Sequence, residues 1–147
     1  MKIGPASKAW LGVAFLSGIG GAYAAPTASD KARVLIYWSA GDCGPCLAWS
    51  KTERKQEFLV EAQRLGFTLV EVQRPRLADP LSRYAWPQAD AALAERYKHY
   101  PPATMTPAFD LVCRGELVKR MDGLAEWDSF WKTSMRKLAK TCESAPS

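Results

Sequence analysis

Val34-Leu35-Ile36-Tyr37-Trp38-Ser39-Ala40-Gly41-Asp42-Cys43-Gly44-Pro45-Cys46 is the stretch on which the reading of this chain turns. Its first five residues form an unbroken apolar run rich in β-formers, the pattern of a strand covered on both faces. Ser39 to Asp42 supply small, turn-forming side chains. Two cysteines three apart follow, and Pro45 between them suits the first turn of a helix, where its missing N–H is no loss. A buried strand, a turn and a helix start therefore meet at Cys43 and Cys46.

Outward from there the elements follow in order. From Leu47 to Leu65 no Pro or Gly interrupts, but Ser50 to Glu57 is wholly polar. This predicts either one long helix with an exposed middle or two helices broken near Thr52. Gly66 reads as the glycine that ends it. Phe67 to Val72 reads as a second strand, and a strand–helix–strand unit implies a parallel pair with a right-handed crossover. Residues 74–88 contain Pro75, Pro80 and Pro87 and read as loop. Ala89 to Tyr97 reads as helix, closed by Pro101-Pro102. Ala108 to Cys113 and Glu116 to Arg120 form a hairpin about Arg114-Gly115. After Gly123 one terminal helix is expected from Ala125 to Lys140, with Trp127, Phe130, Trp131, Met135 and Leu138 along one packing stripe.

The 147 residues are 48% apolar and 24% charged, which suits one compact domain and excludes a disordered chain. Lys2 and Lys8 precede and flank an uncharged apolar stretch, Ala9 to Ile19, which relaxes into Ala22-Tyr23-Ala24. That is the pattern of a cleavable secretory signal, and the stretch is short of the roughly 20 residues a membrane span needs. The organisation read from this is a signal peptide at 1–24, a flexible leader at 25–32, a folded domain at 33–142 and a tail at 143–147. The destination expected is a bacterial periplasm. Without Lys2 and Lys8 the net charge falls from +5 to +3, with 18 Lys and Arg against 15 Asp and Glu. The basic residues are scattered, so no nucleic-acid partner is expected. Cys43, Cys46, Cys113 and Cys142 are an even set bound for an oxidising compartment, which favours disulfides.

Two cysteines three apart at a helix start can close a small disulfide with little backbone movement. The first sits where unpaired backbone N–H groups and the helix dipole favour an anion, so Cys43 is the candidate thiolate nucleophile. Cys46 is expected to be the more buried and to resolve a mixed disulfide. Haem attachment needs a histidine after the second cysteine, and position 47 is Leu. A zinc site would have to recruit Cys113 and Cys142, which lack the paired spacing of zinc modules. A purely structural disulfide stays open. No metal or organic cofactor is expected.

Cys43-Gly44-Pro45-Cys46, and Thr106-Pro107 at the opening of the strand before the hairpin, resemble the two motifs of the thioredoxin family. The element order from Val34 to Lys140 matches as well. The resemblance implies a thioredoxin-like α/β fold, a central mixed sheet flanked by helices. It implies a cis-proline at Pro107 facing the cysteines, with Thr106 and Pro107 pairing to a bound client backbone. The site so implied comprises Cys43, Gly44, Pro45, Cys46, Thr106 and Pro107. In such a fold Cys113 and Cys142 both arrive at the pole far from that site, where a structural disulfide would contribute about 3 kcal/mol.

Three features depart from the family pattern. Asp42 stands where thioredoxins carry Trp, and a carboxylate there works against a Cys43 thiolate. Tyr37 stands where they bury an Asp as proton acceptor. Residues 74–88 are an addition whose Tyr84 and Trp86 either cap the sheet or line a partner groove. These departures look more like dedicated periplasmic relatives that draw electrons from a membrane partner. The expected activity is thiol–disulfide exchange with protein clients, more as a reductant than an oxidant, by a monomer. The alternative is a redox-inactive binding module that uses the cis-proline groove. A copper-handling relative is disfavoured by the close cysteine spacing. His99, the sole histidine, reads as a surface residue.

Overall fold

β1 (Arg33–Ala40) is buried along nearly its whole length, as its apolar run requires, because it has a strand on each side and helices above and below. The computed structural model describes residues 33–144. The expected signal peptide, the leader and residues 145–147 lie outside them. After β1 come α1 (Gly44–Ser50), α2 (Glu53–Arg64), β2 (Thr68–Arg74), α3 (Ala91–Tyr97), β3 (Ala108–Cys113), β4 (Glu116–Asp122), α4 (Gly123–Thr133) and α5 (Met135–Ser144). The sheet order is β2-β1-β3-β4. β1 runs parallel to β2, with Tyr37 opposite Glu71, and antiparallel to β3, with Trp38 opposite Ala108. β3 and β4 close the hairpin through Arg114 and Gly115, both at positive φ (52° and 90°). Two left-handed residues in succession match the twist of a tight hairpin. This is the mixed, helix-flanked α/β sheet that the motif resemblance implied.

Alternation along the strands sorts the core into two layers. Leu35, Tyr37, Phe109 and Leu111 meet Cys46 and Trp49 of α1, Phe58 of α2, and Trp127, Phe130 and Trp131 of α4. Val34, Ile36, Trp38, Val70 and Val112 meet Leu93 and Tyr97 of α3 on the other face. Asp110 is the charged residue within that second layer, fully buried on β3. Arg120 engages both its oxygens at 2.7 Å, Trp38 Nε1 donates to it at 2.8 Å, and the Tyr97 hydroxyl at 2.5 Å. Burial and the adjacent carboxylate push the Tyr97 phenol well above its ordinary range. Both carboxylate oxygens thus accept hydrogen bonds, from three elements, which is what allows Asp110 to stay buried.

Of the two forms expected after Cys46 the chain takes the two-helix one, because the Thr52 hydroxyl bonds back to Trp49 O at 2.8 Å and its backbone turns extended. Other boundaries differ from the sequence expectation, each for a local reason. The terminal helix expected over 125–140 is also two, α4 and α5, parted at Ser134. Ser129 and Thr133 hydroxyls bond back to Ala125 and Ser129 carbonyls there, a pattern that bends helices. α5 continues to Ser144, into the expected tail. Residues 74–88 are more ordered than a plain loop: Leu81–Arg83 and Gln88–Asp90 form short 3₁₀ turns, and Gln73 bridges Ala85. α3 begins at Ala91 and β4 runs on to Asp122.

At the end of the sheet away from Cys43, a disulfide joins Cys113 of β3 to Cys142 of α5, Cα atoms 5.4 Å apart. Both cysteines are buried. α5 is otherwise held by Met135 and Ala139 and by Arg136, whose Nε donates to Glu61 of α2 at 2.8 Å. Glu61 also accepts from Arg64 Nε and Nη2, and these hydrogen bonds hold its carboxyl down at about 2.

Replacing Cys113 and Cys142 together with Ser is expected to lower stability by about 3 kcal/mol, read as a shift in the urea midpoint of the oxidised protein. Glu61→Gln tests the second tie. A carboxyl depressed on folding contributes stability above its unfolded range, and that contribution is lost as pH falls toward about 2. The Tm of Glu61→Gln should therefore lie below the parent's at pH 7, with the gap closing toward the lowest pH.

Candidate active site

β1 ends at Ala40 and β3 begins at Ala108, and their antiparallel register sets the turn after the first beside the loop before the second. Cys43 caps α1: its backbone is extended (φ −78°, ψ 105°), and its Sγ accepts from Cys46 N–H at 3.2 Å. Pro45 lies in the first turn of α1, as its spacing predicts. Cys43 and Cys46 form a disulfide, with Cα atoms 5.2 Å apart. The Thr106–Pro107 peptide bond is cis, and Thr106 O lies 3.8 Å from Cys43 Sγ. A disulfide sulfur carries no proton, so in this state the approach is a contact; a Cys43 thiol could donate across it. Pro107 O in turn accepts from Gly123 N–H at 2.9 Å, tying the loop to the start of α4. Cys43, Gly44, Pro45, Cys46, Thr106 and Pro107 thus come together at one end of the sheet.

Cys46 is expected to be the more buried cysteine, but burial does not separate the two: Cys43 is 0% exposed and Cys46 2%. Cys43 belongs to the core cluster with Tyr37, Trp49 and Phe109, and residues 74–88 close on the turn before it. Gly41 N–H donates to Arg74 O at 3.1 Å, and Leu77 N–H donates to Asp42 Oδ1 at 2.7 Å. A side chain at position 41 would stand 2.6 Å from Pro75 O, so only Gly permits this approach. Asp42 therefore spends its carboxylate on the added segment. Around the covered sulfurs the exposed apolar residues are Leu47 (46%), Leu77 (43%) and Met105 (57%), adjacent in sequence to Cys46, to the Asp42 contact region and to Thr106.

Tyr37 lies under the pair. It is fully buried, stacks on Phe109 with centroids 5.0 Å apart, and points its hydroxyl at Cys46 O, 3.5 Å away. Burial drives its phenol far above the ordinary range, a hydrogen bond with Ser50 offsetting part of the rise. Tyr37 thus stays neutral and is no proton acceptor at neutral pH. Tyr84 and Trp86 do two things. Their rings pack edge-on against Trp38, centroids 4.9 and 5.8 Å away, and they also line an open cleft of about 420 Å³ with Tyr97 and Tyr100. His99 is exposed, its ring 4.1 Å from that of Tyr100.

Sequence reading missed Arg74. It is 6% exposed; Nη1 donates to Asp79 O at 3.1 Å, Nη2 reaches Thr106 Oγ1 at 3.4 Å, and the guanidinium lies over the Tyr84 ring at 5.2 Å. The Tyr84 hydroxyl also meets Thr106 Oγ1, at 3.0 Å. Asp110 was missed too, although a lone carboxylate inside Ala108–Cys113 was a visible signal.

No family model matches the chain, and no curated protein matches it in sequence. Among solved structures it is similar to the periplasmic thioredoxin SoxS from Paracoccus pantotrophus, at 20% identity and a TM-score of 0.47, over 76% of this chain and 99% of that one. It is similar to thioredoxin f2 of Chlamydomonas reinhardtii, at 17% identity and TM-score 0.40, over 80% and 83% of the two chains. It is also similar to the germline-specific thioredoxin Deadhead of Drosophila melanogaster, at 19% identity and TM-score 0.44, over 76% and 85%. These are distant likenesses. What marks the thioredoxin-like arrangement here is the chain's own strand order, the helix capped by Cys43 and the cis peptide before β3.

Tyr37→Phe is expected to leave the pH profile of thiol–disulfide exchange between about pH 6 and 9 unchanged, because a phenol raised by burial neither gains nor loses a proton there. A profile that moves by a unit or more would make Tyr37 a participant.

Proposed function

We propose that the chain is an exported thiol–disulfide oxidoreductase that reduces disulfides of protein clients in a bacterial periplasm. The observation that carries this reading is the Cys43–Cys46 disulfide at the start of α1, with Thr106 O of the cis-proline loop 3.8 Å from Cys43 Sγ. A sulfur at a helix start, beside a backbone carbonyl available to an extended client, is arranged for exchange rather than for stapling. The structural staple is the other pair, at the far end of the sheet.

In the reducing direction Cys43 acts as a thiolate and attacks one sulfur of a client disulfide. A Cys43–client S–S bond forms, and the client's second sulfur leaves as a thiolate and takes up a proton. Cys46 then loses its proton and attacks Cys43 Sγ, closing the Cys43–Cys46 bond and releasing the client's first sulfur as a thiol. Two electrons have passed to the client. Thr106 and Pro107 hold the client backbone, and Leu47, Leu77 and Met105 offer it apolar contact. Gly44 and Pro45 space the two cysteines about one helical turn apart, so their sulfurs can meet and close the bond. A dithiol donor returns the pair to its reduced form; a membrane-bound partner fits an exported reductant that has no cytosolic supply. Export is supported by the Lys2 and Lys8 flanks, the short apolar stretch and the small residues before Ala25. The chain acts as a monomer and takes no cofactor.

Cys46→Ser should accumulate a mixed disulfide with client, and Cys43→Ser should abolish exchange. Equilibration of the parent in glutathione buffers should return a potential near the thioredoxin value of about −270 mV; one near −120 mV would make the chain an oxidant. A parent whose pair never exchanges with glutathione is a binding module and not an enzyme.

A further inference from the structure

Cys43 Sγ has no solvent exposure in the folded chain, and this sets a problem for the chemistry just proposed. Burial disfavours a thiolate, so a covered nucleophile needs compensation from nearby donors or positive charge. α1 supplies one N–H, that of Cys46, but the helix is only seven residues long and has no charged side chain. Asp42, beside the sulfur in sequence, carries the wrong sign.

Arg74 carries the right one. Its side chain is buried, and among the described residues it makes no ion pair. Asp79 gives it only a backbone carbonyl, because the Asp79 carboxylate is held by Arg76, through N–H at 3.0 Å and Nη2 at 3.3 Å. Its Nε is buried with no hydrogen-bond partner. A buried guanidinium balanced only by a carbonyl, a hydroxyl and an aromatic face is costly, and an anion arriving nearby would offset that cost. One residue separates it from Cys43: Thr106 takes Nη2 on its hydroxyl and presents its carbonyl to Cys43 Sγ.

We propose that Arg74 is the charge-balancing and positioning residue of the Cys43–Cys46 pair, acting across Thr106 to favour the Cys43 thiolate over the disulfide. The inference rests on the oxidoreductase reading and adds a residue that the motifs do not contain. The other charged or titratable groups at this end of the sheet do not substitute for it. Asp42 is engaged by Leu77 N–H, and Arg76 and Asp79 neutralise one another. Glu126 is paired with Lys119 at 3.6 Å and accepts from Asp122 N–H, and Asp122 is an exposed carboxylate. Glu71, on β2, accepts from Ser39, and Tyr37 is a buried neutral phenol. Tyr84, under the guanidinium, shares the positioning half of the role through its hydroxyl on Thr106, without charge.

The test compares parent, Arg74→Gln, Arg74→Lys and Tyr84→Phe in the full chain, by equilibrium with glutathione and by thiolate absorbance against pH. Arg74→Gln should shift the equilibrium constant about tenfold toward the disulfide, a potential more negative by about 30 mV. Its thiolate should form about one pH unit higher. Arg74→Lys keeps the charge and should stay within about threefold of the parent. Tyr84→Phe keeps both charge and ring and should slow mixed-disulfide formation while leaving the constant within the same threefold range. If Arg74→Gln does not fold, the Lys and Phe variants decide by those limits. The inference is overturned if Arg74→Gln leaves the constant unchanged, or if either other variant shifts it tenfold. If the parent itself does not exchange, the oxidoreductase reading falls; if it exchanges with no dependence on Arg74, only this inference falls.

Discussion

The antiparallel seam between β1 and β3 is the constraint from which the rest of this protein follows. Pairing Trp38 with Ala108 and Tyr37 with Phe109 leaves the chain leaving β1 and the chain entering β3 at the same edge. The disulfide helix grows from one and the cis Thr106–Pro107 peptide sits in the other, so residues more than sixty apart in sequence are brought to 3.8 Å. The seam's opposite end carries Arg33 and Cys113, so the second disulfide is at the other pole. One register thus separates a pair that can meet a client from a pair that closes the fold.

Each side chain of the seam works in two layers. Tyr37 and Phe109 continue into a stacked column with Trp127, whose ring lies 4.3 Å from that of Phe109, beneath the cysteines. Trp38 faces the other way, holding Asp110 with its indole N–H and receiving Tyr84 and Trp86 on its ring. Arg120, which pairs with Asp110, also donates to Pro101 O at 2.8 Å and anchors the segment leading to the cis-proline. The buried carboxylate is therefore part of what holds the Thr106 loop, at a distance from the sulfurs and from the opposite face.

Residues 74–88 change the character of the site. They fasten to the turn through Gly41 and Asp42 and to the cis-proline loop through Arg74 and Tyr84. Both loops that flank the disulfide are thus gripped by one segment, and the first cysteine is covered. Covering a sulfur raises the weight of every charge near it, because the surroundings screen less than water does. An aspartate beside a covered cysteine, and a buried arginine one residue away across Thr106, consequently matter more here than at an open surface.

Much of the fold was legible in the chain itself. The apolar run Val34–Trp38, the hairpin about Arg114-Gly115 and the helix start at Pro45 are local matters of patterning and backbone preference, and they lie where these dictate. Helix breaks at Thr52 and Ser134 were ambiguous or missed, because a hydroxyl that bonds back to its own helix resembles any other polar residue in sequence. Gly41 and Arg74 read as ordinary loop and strand-end residues, and Asp42 and Tyr84 stood out without their partners, since neither burial nor partner is written in a residue type. By itself the sequence determined the order of elements, the two cysteine pairs available and the motifs that flank the site. Only the tertiary structure decided that Cys43 is covered and that a buried arginine stands behind Thr106, because both depend on contacts between segments thirty or more residues apart.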